Sequence, residues 1–444
     1  MTYRAPLLHA ALAALGALAN GGCDKTAKVG PDTPIAPASP TASAAAAAPA
    51  PAIPTTPPPA VDARRLATSS NALGFDVYGR VSSTPGNLAI SPTSISAALA
   101  MTYGGARGET EAQMKRVLHL EGARDAAMTD WGNLTRALQD PARPVKLRIA
   151  NRLFGEKTAK LEPAFLDRTR DVYGAPMEPT DFKNAFEPAR SHINGWVEDQ
   201  TEKRIKDLLP PNALDARTRL VLVNAIYFLA DWAEPFEKQA TRDDTFNVTP
   251  TSQKKTAMMH ANGSRRFAQA DGVKVLELPY RGGDASMLFI VPDREGGLDD
   301  VEKSLSAAKL AAWTAALAPR DVAVTIPRFE VSPTPSLSLG EALVKLGMVD
   351  AFDRDKADFT GIANPSDPRE RLSIGKVFHK AFVKVDEKGT EAAAATAVVM
   401  PKGGGPPPKP TLEFTADRPF LFAIVEKASG LVLFVGRVAD PTVR

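Results

Sequence analysis

The segment VDEKGTEAAAATAVVMPKGGGPPPKPTLEF, residues 385–414, decides how the rest of the chain is read. Local propensity alone makes it a short helix and then a tail. Thr390 is a fair N-cap, Glu391 and the alanines after it are good helix formers, and the glycines and prolines of residues 403–408 end any regular structure. Yet the chain continues into PFLFAIV, residues 419–425, which has the composition of a buried strand. A run of small residues and a Gly/Pro segment therefore sit inside a folded domain, just ahead of its last strands.

The 444 residues are enough for one large domain or two ordinary ones, and 44% apolar with 24% charged residues marks the bulk as globular. A formal net charge of +3 is too small to argue for nucleic acid. The single cysteine, Cys23, excludes an intrachain disulfide, and the five histidines are scattered without metal-ligand spacing, so no metal or cofactor is expected.

The first residues have the pattern of a targeting segment. Arg4 precedes an apolar stretch over residues 6–19 that is too short to span a bilayer comfortably. Cys23 ends LANGGC, where a bacterial lipoprotein is cut and lipidated, although Asn20 departs from the usual pattern. The expectation is a lipid anchor at Cys23, with an ordinary secretory signal as the alternative. Residues 24–62 are rich in Pro, Ala, Thr and Ser, cannot build a core and read as an extended tether. The folded domain is expected over residues 63–444, working outside the cytoplasm, either secreted or held at a bacterial cell envelope.

Within it, apolar spacing predicts helices over residues 64–81, 92–103 and 109–117 and in the segments around 188–210, 305–317 and 338–348. Strands are expected at 87–91, 146–156, 219–232, 320–331 and 372–389, with a hairpin over 273–293 and a closing pair over 420–438. The 219–232 run lacks alternation and reads as buried on both faces. Helices and strands mix without a βαβ rhythm, which gives an α+β class with large sheets in one domain.

Enzyme motifs are thin. The S-x-x-K matches Ser306 to Lys309 and Ser373 to Lys376 would suit a serine enzyme, but Ser373 falls on an expected strand, and no K-T-G partner exists.

The chain resembles the serpin family. NLAISPTSISAALAMTYGGARGET, INGWVEDQTEKRIKDLLP, LVLVNAIYFLADWAEPF, TRDDTF, TIPRFEV, ADFTGI, VFHKAFVKVDEKGTEAAAAT and RPFLFAIVEKASGLVLFVGRVADP occur in the family's order across residues 64–444. The resemblance implies three β-sheets and about nine helices in one metastable domain with an exposed reactive-centre loop. It implies no catalytic residue of the chain's own. The expected activity is suicide-substrate inhibition of a serine protease, trypsin-like or elastase/subtilisin-like, or of a cysteine protease, by a protein acting as a monomer. The alternative is a non-inhibitory member acting as a binding or carrier protein.

The loop residues fit that demand. A strand entering the middle of a sheet needs small side chains and a period of two. Thr390, Ala392, Ala394, Thr396, Val398 and Met400 form one alternating set, expected to face the core, and include no charge or proline. The hinge Glu387, Gly389, Thr390, Ala392, Ala393, Ala394, Ala395 and Thr396 is intact. The family's count from Glu387 puts the reactive bond at Gly403–Gly404, and a loop shorter by one puts it at Lys402–Gly403. Pro401 cannot donate a ladder bond but lies near the end of the inserted segment. The resemblance further assigns Ser91, Pro92, Ser94, Asn224 and His379 to a polar shutter beneath the parting strands. It assigns Trp232 to the breach where the loop enters, and Glu387 with Arg328 to a hinge ion pair.

Overall fold

The computed structural model describes residues 59–390 and 412–443. Helix α1 (Ala63–Val81) is opened by Asp62, whose carboxylate accepts from the Arg65 N–H. Strand β1 (Leu88–Ile90) leads into α2 (Pro92–Tyr103), where the Ser91 hydroxyl accepts from the Ser94 N–H and Pro92 fills the first helical position. Next come α3 (Gly108–Val117), α4 (Arg124–Leu138), β2 (Lys146–Glu156) and α5 (Pro163–Tyr173). Gly174 ends α5 at φ +64°, a conformation that glycine adopts without strain. Then follow β3 (Glu178–Thr180), α6 (Phe182–Gln200), which is kinked at Ala185, and β4 (Leu220–Asp231). The second half holds β5 (Arg242–Thr249), β6 (Ser252–Ala270), β7 (Val273–Pro279), β8 (Ala285–Pro292), α7 (Leu298–Ser304) and α8 (Ala307–Ala316). It continues with β9 (Ala318–Pro327), β10 (Phe329–Val331), β11 (Leu337–Ser338), α9 (Gly340–Lys345) and β12 (Lys376–Val385). The last strands are β13 (Gly389–Thr390), β14 (Leu412–Thr415), β15 (Phe420–Glu426) and β16 (Val432–Val438).

The strands form an α+β fold with two hydrogen-bonded networks. One runs β1-β16-β15-β8-β7-β6-β9-β14 with β5 added on β6; the other runs β10-β12-β13-β4-β2-β3 with β11 added on β12. Two of the three expected sheets are continuous because β6 pairs with β5 and β9 along its first part and with β7 at its end. Every residue of α2 is buried, since the helix packs on β2 and β4 of one network and on β16 of the other.

The run that lacks alternation is buried on both faces, and period two returns in what each face touches. Leu220, Leu222, Ile226 and Phe228 enter the main core, whereas Val221, Val223, Ala225 and Tyr227 pack with Ile193 and Val197 of α6.

Two strands differ from the sequence reading. The strand expected over 320–331 is two strands in different sheets. Pro327 has no N–H for a ladder, and Arg328 N–H turns to the Ala257 carbonyl. The strand expected from residue 372 starts at Lys376: the Ile374 N–H goes to the Ala351 carbonyl outside any strand, and the Gly375 N–H to Leu220 at the start of β4. Ser373 therefore precedes the strand instead of lying on it.

Candidate functional site

β4 and β12 are parallel neighbours from Lys376 beside Val221 to Phe382 beside Tyr227. Beyond that point they part, and β13 lies between them, antiparallel to both: Thr390 pairs with Ala230 and with Val385, and Gly389 with Asp231. A Cβ on Gly389 would stand 2.1 Å from the Ala230 carbonyl oxygen, so glycine is required by backbone contact. Thr390 is fully buried, and its hydroxyl shares a 2.6 Å hydrogen bond with the hydroxyl of Tyr280. Burial pushes the Tyr280 phenol well above its ordinary range, so it stays protonated.

Trp232 stacks on Tyr280 with ring centroids 4.6 Å apart and planes 9° from parallel. Its indole N–H donates to the Asp386 carbonyl at 3.0 Å, and its backbone N–H donates to the Lys388 carbonyl at 2.7 Å. Glu387, almost fully buried, accepts from Arg328 Nε at 2.8 Å and from the Thr241 hydroxyl at 2.6 Å. Burial alone would raise the Glu387 carboxyl; the bonds from Arg328 and Thr241 outweigh it and hold the group below its ordinary value. Trp232, Glu387, Arg328, Gly389 and Thr390 thus meet in one place. Tyr280 and Thr241 complete it; neither stands out in the sequence, where Tyr280 closes the LELPY strand like any core aromatic.

Below the parting point a polar row crosses three strands. Asn151 on β2 is paired in register with Asn224 on β4, and Asn224 with His379 on β12. The Asn224 amide donates to the Ser94 hydroxyl at 2.6 Å, to the Ser94 carbonyl at 2.7 Å and to Asn151 Oδ1. The Ser91 N–H donates to His379 Nε2 at 3.0 Å, which leaves His379 Nδ1–H to donate to Asn224 Oδ1. Full burial pushes the His379 imidazole down to about 3, so it is neutral. Ser91, Pro92, Ser94, Asn224 and His379 are therefore gathered between α2 and the sheet. Asn151 is the member that sequence reading missed, although an asparagine within the apolar strand RIANRLF is a visible signal.

Ser306, from the first S-x-x-K match, caps α8 by accepting from the Lys309 N–H at 3.2 Å. Cys23, Ala392, Ala393, Ala394, Ala395, Thr396, Lys402, Gly403 and Gly404 lie outside the described residues. Among the described residues, no cluster of three His, Cys, Asp or Glu has metal-binding geometry, and no helix is long and apolar enough to cross a membrane.

A strand entering a sheet beside a tryptophan stack, above a buried polar row, is the arrangement of a protein built to admit a further strand. The family pattern described as "Serpin (serine protease inhibitor)" matches residues 68–441, and the chain belongs to that family. Leukocyte elastase inhibitor A of Rattus norvegicus is 39% identical over 387 residues, covering 85% of this chain and 100% of the relative. Uncleaved ovalbumin is similar in structure, with TM-score 0.75 and 31% identity over 85% of this chain and 100% of that one. Human thyroxine-binding globulin, solved as a complex with thyroxine, gives TM-score 0.75 and 30% identity over 86% of this chain and 100% of that one.

Proposed function

We propose that this serpin is a suicide-substrate inhibitor of serine proteases and has no catalytic activity of its own. The observation that carries the reading is the placement of Gly389 and Thr390, which already form the first rungs of a strand between β4 and β12. The chain that follows is written in small residues with no proline before Pro401, as insertion demands. The protease serine attacks the carbonyl carbon at the reactive bond, the peptide C–N bond breaks, and the amine on the Gly404 or Gly403 side departs with a proton. The ester left behind ties the protease to the residue that donated the carbonyl. Insertion of residues 390–400 then carries the enzyme away and traps the ester before water reaches it.

A relative named as an elastase inhibitor supports an elastase-class target, whose narrow pocket suits Gly403; Lys402 suits a trypsin-like pocket. Incubation with leukocyte elastase, trypsin and subtilisin tests this. A complex stable in SDS with at least one of them is expected, and mass spectrometry of the released peptide assigns the bond. Cleavage by all three with no complex would assign the chain to the non-inhibitory, carrier-type members. The leader, the Pro/Ala-rich tether and Cys23 support an extracytoplasmic monomer, secreted or lipid-anchored at a bacterial envelope. Lipid labelling of the wild type, lost in Cys23→Ala, tests the anchor.

A further inference from the structure

Beside the polar row lies a cavity of about 70 Å³, walled by β2, α6 and the ends of α4 and α5. Its lining includes Asn151 and Arg152 of β2, Trp196 of α6 and Tyr173 at the end of α5. Three of these residues carry a buried polar atom without a hydrogen-bond partner: Arg152 Nε, Trp196 Nε1 and the Tyr173 hydroxyl. They belong to three different elements, so the coincidence is one of tertiary structure and not of a local turn. Arg152 lies over the Trp196 ring at 4.6 Å, which fixes two of the three donors side by side.

The chemistry of the set is one-sided. The guanidinium and indole groups only donate, and the phenol hydroxyl donates or accepts; Arg152 Nη1 is already paired with Glu178 at 2.5 Å, which leaves Nε as its unpaired donor. Leaving such groups buried and unpaired costs about 1–3 kcal/mol each. Two side-chain oxygens of the lining are already engaged: Asn151 Oδ1 accepts from Ser94 and Asn224, and Gln139 Oε1 accepts from the Ile149 N–H at 2.8 Å. A single water accepts at most two bonds, fewer than the three donors present. A carboxylate accepts through two oxygens and brings no proton. The volume admits a group of a few heavy atoms, several times the roughly 10–15 Å³ that one water needs.

We propose that this cavity is a binding site for a small monocarboxylate, held by Arg152, Trp196 and Tyr173. A ligand there bridges β2 to α6 next to Asn151, and so ties the helix to the sheet beside the polar row. The site stands independently of the protease reading.

Acetate is the probe, titrated into the full chain at constant ionic strength with chloride as the balancing anion. The ¹⁵N-labelled indole resonances of the four tryptophans are followed. Acetate should move the Trp196 indole resonance saturably and raise the melting temperature above that in chloride. Tyr173→Phe should weaken binding about tenfold, since one hydrogen bond is lost. Without acetate it should melt no lower than wild type, because an unpaired hydroxyl has been removed. Trp196→Phe, at a half-buried position, provides a second route should Tyr173→Phe fold poorly, read by the acetate-induced rise in melting temperature. Acetate with no effect beyond that of chloride, or binding undiminished in both variants, overturns the proposal.

Discussion

Thr390 and Tyr280 join through a buried 2.6 Å hydrogen bond, and it fastens the hinge to the residue following β7. Thr390 faces the same core as Ala230 and Val385, its partners on either side. A long cation cannot be accommodated there, since burying an unpaired charge costs several kcal/mol. Thr390→Arg is expected to convert the inhibitor into a substrate, with the stoichiometry of inhibition rising severalfold. An unchanged stoichiometry would count against insertion. Thr390→Val should behave differently: it leaves Tyr280 without a partner, lowering the stability of the intact protein by about 1–3 kcal/mol, yet remains small enough to insert.

Gly389 meets the backbone of β4, which cannot give way as a side-chain end can. Gly389→Ala places its Cβ 2.1 Å from the Ala230 carbonyl oxygen and 2.7 Å from Asp231 Cα. The expected result is loss of both β13 rungs. Hydrogen exchange at the Thr390 amide should accelerate markedly, and the fluorescence of Trp232, which donates its indole and backbone N–H groups to the same turn, should change. Slow exchange retained in the variant would show that the close approach is not obligatory.

His379 sets a pH dependence whose sign follows from its burial. Its pKa is about 3 when folded, against an ordinary value near 6.5, so the unfolded chain binds the extra proton first. The contribution is fully present above about pH 6.5 and is lost as pH falls toward 3. Between pH 6.5 and 5 the loss is about 2 kcal/mol, at 1.36 kcal/mol per unit. His260, also lowered by partial burial and by Arg242, acts in the same direction, so the comparison that isolates His379 is His379→Gln. Its melting temperature should be lower at pH 7.5 but flatter across this window. A wild type whose melting temperature is constant from pH 7.5 to 5 would contradict a neutral buried imidazole.

The sequence carried the site further than the fold around it. Family resemblance names the shutter residues and Glu387, Gly389 and Thr390 one by one, and the structure brings each of the two sets together. The register that brings Asn151, Asn224 and His379 into one row was not legible, because it depends on pairings between strands far apart in the chain. Helices α4 and α5 and the nineteen-residue β6 also escaped the reading. β6 is exposed along much of its first part and carries Lys254, Lys255, Arg265 and Arg266, so its apolar signal is weak; tertiary pairing with β5, β7 and β9 makes it a strand. Glycine and proline limited other boundaries, as at Pro327, where one apparent strand became two.

Cleavage of the loop should stabilise the protein, and the register shows where the gain arises. Thr390 lies between Ala230 and Val385, and each step forward along the hinge is one step back along both neighbours. Continued insertion therefore brings Ala392 beside Phe228 and Thr396 between Asn224 and His379, which are now each other's partners. The seven parallel pairs joining β4 to β12 are exchanged for two antiparallel ladders, each rung worth about 0.5–1.5 kcal/mol net. The cleaved form should melt about 10 °C above the intact one, at roughly 1–2 °C per kcal/mol for a domain of this length. Thr396→Val should reduce that gain, because its entry parts Asn224 from His379 and returns no hydroxyl to either. Calorimetry of intact and cleaved forms of both proteins measures this. A cleaved wild type melting at or below the intact protein would sink the insertion mechanism, whereas equal gains in the two proteins would place Thr396 elsewhere than on the polar row.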